Sequence, residues 1–234
     1  MVVPSLWDTG HSLFRYKRGV AYMVEYVLAF VVLIFSLVVH EASHAWMAYR
    51  KGDPTAYLAG RLTLNPIPHL DPIGSLVLPL FGILSGAPVI GWARPVPVNP
   101  GRLRNPAGDH FWVSLAGPAS NFALALGFTI LYGITLGAGL LGPLGRSVII
   151  LCYYGVLINF VLGFFNLLPV PPLDGSWVFG HLFPQTVGRL VDATRRFGSL
   201  ILIVLLFSGL LRYLLSPAFL LARLLLGIAG GIAL

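Results

Sequence analysis

Residues 22–49 form an apolar run that carries His40-Glu41-Ala42-Ser43-His44 near its end. The eighteen positions before the motif, 22–39, hold a single charge, Glu25. A run of this length and character predicts a helix through a bilayer, about 42 Å long at 1.5 Å per residue, with the motif about 12 Å from its carboxyl end. Ionisable groups in such a place are costly, about 2.5–3.5 kcal/mol each at mid-bilayer, and are functional by default. On a helix, His40 and His44 lie within about 40° of one another and about 6 Å apart along the axis, so both imidazoles can grip one metal ion. Glu41 is adjacent and can hold a water and take its proton, the arrangement of a zinc hydrolase. The bland alternative, two core histidines satisfied by hydrogen bonds, is disfavoured by the apolar setting.

The rest of the chain agrees with a membrane setting. Of 234 residues, 57% are hydrophobic and 10% charged, and mean hydropathy is +0.85. That predicts an all-α polytopic membrane protein of about five to six transmembrane or re-entrant helical segments. Residues 1–19 read as a polar arm, 55–64 as a short interfacial strand or hairpin from weak alternation, and 73–90 as a re-entrant element, because Pro79, Gly82, Gly86 and Pro88 interrupt it. Full spans follow at 109–138 and 147–168, and two apolar segments, 197–215 and 217–233, close the chain. The whole, 1–234, reads as one membrane-embedded domain with its core at 20–176 and C-terminal helices in 197–234.

The formal charge of +7 sits in the connections and carries no aromatic-interleaved basic patch, which argues against nucleic acid as a partner. With 73–90 re-entrant, Lys and Arg at 50, 51, 61, 94, 102, 104, 189, 195 and 196 share the side of the metal motif, against 15, 17, 18, 146 and 212 opposite. The excess of basic residues puts the motif toward the cytoplasm. Nothing in the sequence sets an oligomeric state. Cys152 is the only cysteine, so no cysteine cluster holds the metal.

A catalytic zinc usually has three protein ligands and an open position. His69, Asp71, His110, Asp174 and His181 flank the apolar spans on the motif's side and are all of ligand type. Asp174 is favoured, because Pro169, Pro171 and Pro172 break the preceding helix and unwound backbone at membrane depth is tolerated around a protein-lined cavity.

Three stretches together, His40-Glu41-Ala42-Ser43-His44, Ala116-Gly117-Pro118-Ala119-Ser120-Asn121 and Asn166-Leu167-Leu168-Pro169-Val170-Pro171-Pro172-Leu173-Asp174-Gly175, resemble the site-2 proteases, which are intramembrane zinc metalloproteases. The resemblance covers about residues 36 to 176 and looks like a compact prokaryotic branch without PDZ or CBS domains. It implies one Zn2+ per chain on His40, His44 and Asp174, Glu41 as general base, and Asn166 as a catalytic residue that binds the substrate backbone or the oxyanion. It implies a transmembrane protein or peptide as substrate, in a multi-pass protein of a prokaryotic cell membrane. Ser176 departs from the second glycine that many members carry after Asp-Gly. A metal-binding or metal-transport protein without proteolysis is the alternative, but transport favours ligands spread along a path, and here they gather at one depth. A membrane di-iron oxidase would need more than six histidines.

Overall fold

A computed structural model describes residues 12–85, 91–140 and 142–231. Among the described residues, three helices are long and apolar enough to cross a membrane: the Met23–Arg50 part of α1 (Ser12–Arg50), α4 (Pro106–Gly137) and α5 (Pro143–Asn166). The shortest of them, 24 residues, is about 36 Å long, enough for a hydrocarbon core about 30 Å thick. Helix α4 packs against both α1 and α5. Small side chains set that packing: Ala125 of α4 meets Val156 and Phe160 of α5, and Ala218 and Ala222 of a later helix close the same cluster. Outward, Val27, Val31 and Phe35 of α1 and Ile130 and Ile134 of α4 are exposed, as side chains facing lipid are.

Several expectations are corrected. The polar arm expected at 1–19 is helical from Ser12 onward, and residues 1–11 lie outside the described ones. The strand expected at 55–64 is instead a helical turn, α2 (Thr55–Leu58), and the described residues contain no strand. Asp53 outweighs the weak alternation: its carboxylate accepts the Thr55 N–H at 3.0 Å and starts a turn behind Pro54, while Gly60, at φ 68°, ends it in a left-handed conformation. The extended element of the region is 91–99, where Pro95 and Pro97 enforce that form.

Residues 72–85 form a π-type turn (Pro72–Val77) leading into α3 (Leu78–Ser85), and 86–90 lie outside the described residues. The apolar helical stretch Pro72–Gly82 is too short to span a bilayer. The Trp92 N–H donates to the Gly74 carbonyl at 3.1 Å, so the excursion from 74 to 92 ends where it began. Gly74 permits this closure, since a Cβ there would lie 2.4 Å from the Trp92 ring.

After α5 come α6 (Asp174–Leu182), α7 (Arg189–Thr194), α8 (Gly198–Phe207), α9 (Leu210–Leu214) and α10 (Ser216–Ala229). The two closing apolar segments are therefore three helices. Gly209, at φ 74°, breaks the first of them, and Pro217 opens α10. None of the three reaches the length of a span, so among the described residues three helices are spanning candidates.

Candidate active site

The imidazoles of His40 and His44 project from α1 toward α4, with ring centroids 4.6 Å apart. Their Nε2 atoms are 3.0 Å from each other and 3.2 and 3.4 Å from Asp174 Oδ2. Asp174 reaches them because the chain leaving α5 turns back within a few residues and restarts as α6 with Asp174 in its first turn. Gly175 makes that turn possible: a Cβ there would stand 2.2 Å from the Leu167 carbonyl oxygen. Among the described residues, His40, His44 and Asp174 form the one group of metal-ligand type, their ligand atoms within 4.8 Å of one another.

The hydrogen-bond partners show what the site is built to hold. His44 Nδ1 lies 2.7 Å from the main-chain carbonyl of Val113, which can only accept, so the ring proton is on Nδ1. His40 Nδ1 lies 2.7 Å from Asn121 Oδ1, an amide oxygen turned toward the ring, and it carries the ring proton toward that acceptor. Both Nε2 atoms then present lone pairs to each other and to a carboxylate. Three converging electron-pair donors, 5% and 8% exposed at the two histidines, are a favourable arrangement only around a cation. The residues present therefore fit a metal with nitrogen and oxygen ligands, as zinc is bound.

Glu41 faces another part of the chain. Its Oε2 accepts the Val96 N–H at 3.0 Å, so the extended 91–99 segment lies across the carboxylate. Arg61, 6% exposed, ties that segment down, its guanidinium donating to the Arg94 carbonyl and, at 3.1 Å, to that of Pro95. The Arg94 N–H donates to the His69 carbonyl at 2.8 Å, and Ser75 Oγ to the Trp92 carbonyl at 2.7 Å.

The other sequence candidates are placed as follows. Asn166, at the end of α5, donates from its amide to the Leu162 carbonyl at 3.0 Å. His69 is buried with Nε2 on the Thr63 carbonyl, and Asp71 caps the N–H groups of Ile73 and Gly74. His110 packs at a tilt against Trp177 with ring centroids 4.2 Å apart, and His181 lies against Phe111. None of these joins the metal-type group. A cavity of about 380 Å³ between Val39, Ala42, Ser43 and Trp46 and the 62–64 stretch opens on a face of α1 turned away from the imidazoles, so it is not the catalytic cleft. Sequence reasoning missed Arg61, Val96 and Val113. The last two act through the main chain, which leaves no trace in residue type, and an isolated arginine in a loop carries no signal.

Fold and site together define a membrane-embedded metalloenzyme whose spanning helix carries the H-E-x-x-H pair. The family model for "Peptidase family M50" matches residues 143–209. Relatives among curated proteins carry the description "Putative zinc metalloprotease". YwhC of Bacillus subtilis is 39% identical over 193 residues, spanning 80% of this chain and 83% of that protein. Rip2 of Mycolicibacterium smegmatis is 33% identical over 205 residues (82% and 71%), and Rip2 of Mycobacterium tuberculosis 32% over 213 (86% and 73%). No solved structure gives a significant match. The chain belongs to Peptidase family M50, the site-2 proteases, and is a zinc-dependent metallopeptidase of the membrane.

Proposed function

We propose that this chain is an intramembrane endopeptidase that cuts transmembrane protein or peptide substrates, with His40, His44 and Asp174 as its zinc ligands and Glu41 as its base. The observation that carries the reading is the convergence of three metal-ligand atoms near the end of an apolar helix, with both imidazole Nδ1 atoms tied off behind them. When bound there, zinc supplies a Lewis acid that polarises a carbonyl and makes water a better nucleophile. Glu41 takes the proton of the attacking water as its oxygen adds to the scissile carbonyl carbon. It then delivers that proton to the departing amide nitrogen as the C–N bond breaks, leaving a carboxylic acid and an amine, between which the acid proton then passes to give carboxylate and ammonium. Val96 N–H holds Glu41 by one oxygen, leaving the other for this exchange. Asn166 releases Leu162 to donate to the substrate carbonyl as charge develops on it. The excess of basic residues at 50–104 and 189–196 supports a site on the cytoplasmic side of a multi-pass protein, with 1–234 as one catalytic unit.

The test is Glu41→Gln in protein reconstituted in nanodiscs, assayed for zinc content and for cleavage of a single-span substrate. Zinc should remain near one per chain while cleavage is lost. Undiminished turnover by the variant in a pure preparation would overturn the role of Glu41.

A further inference from the structure

The two histidines have their protons fixed in different ways, and the difference points beyond the ligand set. His44 is set by the carbonyl of Val113, a helix main-chain group that cannot rotate. His40 is set by a side-chain amide, and an amide can turn over to present its NH2 instead of its oxygen. We propose that Asn121 and Asn159 form a directional amide relay across α4 and α5 whose function is to lock His40 in the tautomer that leaves Nε2 free for zinc. It rests on the metalloprotease reading above.

The direction is read from the anchored end. Asn159, fully buried, lies 2.8 Å from both the Gly155 carbonyl and Ser36 Oγ through one atom of its amide. A main-chain carbonyl only accepts, so that atom is Nδ2. The oxygen of Asn159 therefore faces Asn121, at 2.9 Å, and Asn121 must answer with its own NH2. That leaves Asn121 Oδ1 against His40 Nδ1, which must carry the ring proton. Turning Asn121 over would set two amide oxygens against each other at the same separation. Turning Asn159 over would set its oxygen against the Gly155 carbonyl. Each error leaves unpaired polar atoms in a dry interior, where such atoms cost most.

The relay binds residues from all three spanning helices, Ser36 and His40 of α1, Asn121 of α4 and Asn159 of α5. An asparagine pair serving helix packing alone would be indifferent to its direction. This pair has its direction fixed by the Gly155 carbonyl, and the direction matters because Asn121 meets a metal-ligand histidine. Asn121 and Asn159 are thus positioning residues for zinc: the first acts on a ligand directly and the second through the first.

The test is zinc affinity of the full chain in nanodiscs, measured by chelator competition, for the wild type, Asn159→Leu, and Asn159→Leu combined with Asn121→Asp. Asn159→Leu frees Asn121 to turn over and should weaken zinc binding about 10- to 100-fold, the range found for outer partners of metal ligands, although residue 159 touches no ligand. A carboxylate at 121 offers His40 an acceptor whichever way it turns, so the double variant should regain wild-type affinity. An unchanged single variant would overturn the relay, and so would a folded double variant that fails to recover. Should Asn159→Leu not fold, ¹⁵N-histidine solid-state NMR of zinc-free wild type at alkaline pH decides. Protonated Nδ1 on His40 is expected, and a proton on Nε2 with Nδ1 bare would overturn it. A wild type that binds no zinc would count against the metalloprotease reading, whereas zinc-binding wild type with an indifferent Asn159→Leu counts against the relay alone.

Discussion

Gly117 of α4 lies so close to His44 of α1 that a Cβ on it would fall 2.4 Å from His44 Nε2, and 2.6 Å from His40 Cε1. The glycine lets α4 come close to α1 here, and any side chain there would enter the space between the imidazoles. Alanine suits a helix better than glycine, by about 1 kcal/mol in a helix interior, so Gly117→Ala should leave the helices formed. It should nonetheless weaken zinc binding by about one to two powers of ten, since overpacking a filled site costs about 1–3 kcal/mol. Metal content after dialysis against a chelator, with circular dichroism as the control for folding, measures both effects. Wild-type zinc retention would mean that the two helices part easily at this point.

Asp174 reaches the imidazoles only through the tight turn that Gly175 permits. Asp174→Ala should lower zinc and cleavage together, because it removes one of the three candidate ligand atoms. Gly175→Ala keeps the carboxylate but pushes the turn away from Leu167, and it should lower zinc less than the loss of the carboxylate does. Isothermal titration of the two variants gives their order. If Asp174→Ala kept full zinc and activity, the third ligand would lie elsewhere.

Asp53 joins two loops that bracket the site, accepting the Thr55 N–H at 3.0 Å and the Asn99 N–H at 2.6 Å. Burial pushes its carboxyl up, but the bonds from Thr55 and Asn99 and the charge of Arg102 outweigh this and hold it below the ordinary value of 3.8. A carboxyl depressed in the folded state contributes stability that is present above the unfolded value and is lost as pH falls through the lower folded one. Amide exchange in 53–61 and 96–102 should therefore quicken as pH drops below about 4, beyond the change in intrinsic exchange rate. Asp53→Asn should show the faster exchange already at neutral pH, with little further change on acidification. Equal acid sensitivity in the variant would assign the effect to another carboxyl.

The residues that make the metal site legible are those whose type is costly in their surroundings. His40, Glu41 and His44 stand out because the run around them is apolar, and Asp174 because prolines unwind the helix before it. What eludes the sequence is carried by backbone geometry. The weak alternation in 55–64 is overruled by a single aspartate that starts a helical turn, and Gly209 divides an apolar stretch that composition alone reads as continuous. The direction of the Asn121–Asn159 pair depends on the Gly155 carbonyl, which any residue at 155 would also provide.

Arg61 and Glu41 are linked through the 94–96 backbone: the guanidinium holds the Arg94 and Pro95 carbonyls, and the next N–H, of Val96, holds the carboxylate. Burial lowers the Arg61 pKa and the charge of Glu41 raises it, with burial the larger effect. A buried guanidinium is kept here because it fixes an extended segment that has no neighbouring strand to pair with. Arg61→Met preserves bulk and removes the donors. A hydrogen bond from a charged group is worth about 1.5–3 kcal/mol, so the segment should loosen and Glu41 lose its fixed orientation. The expected result is unchanged zinc content with a single-turnover cleavage rate about tenfold or more below wild type, the kinetic form of 1.4 kcal/mol. Arg61→Lys, with one charge but no planar fork, should recover only part of the rate. Zinc loss in Arg61→Met would instead place Arg61 in support of the ligands, and a wild-type rate would detach the 91–99 segment from the work of Glu41.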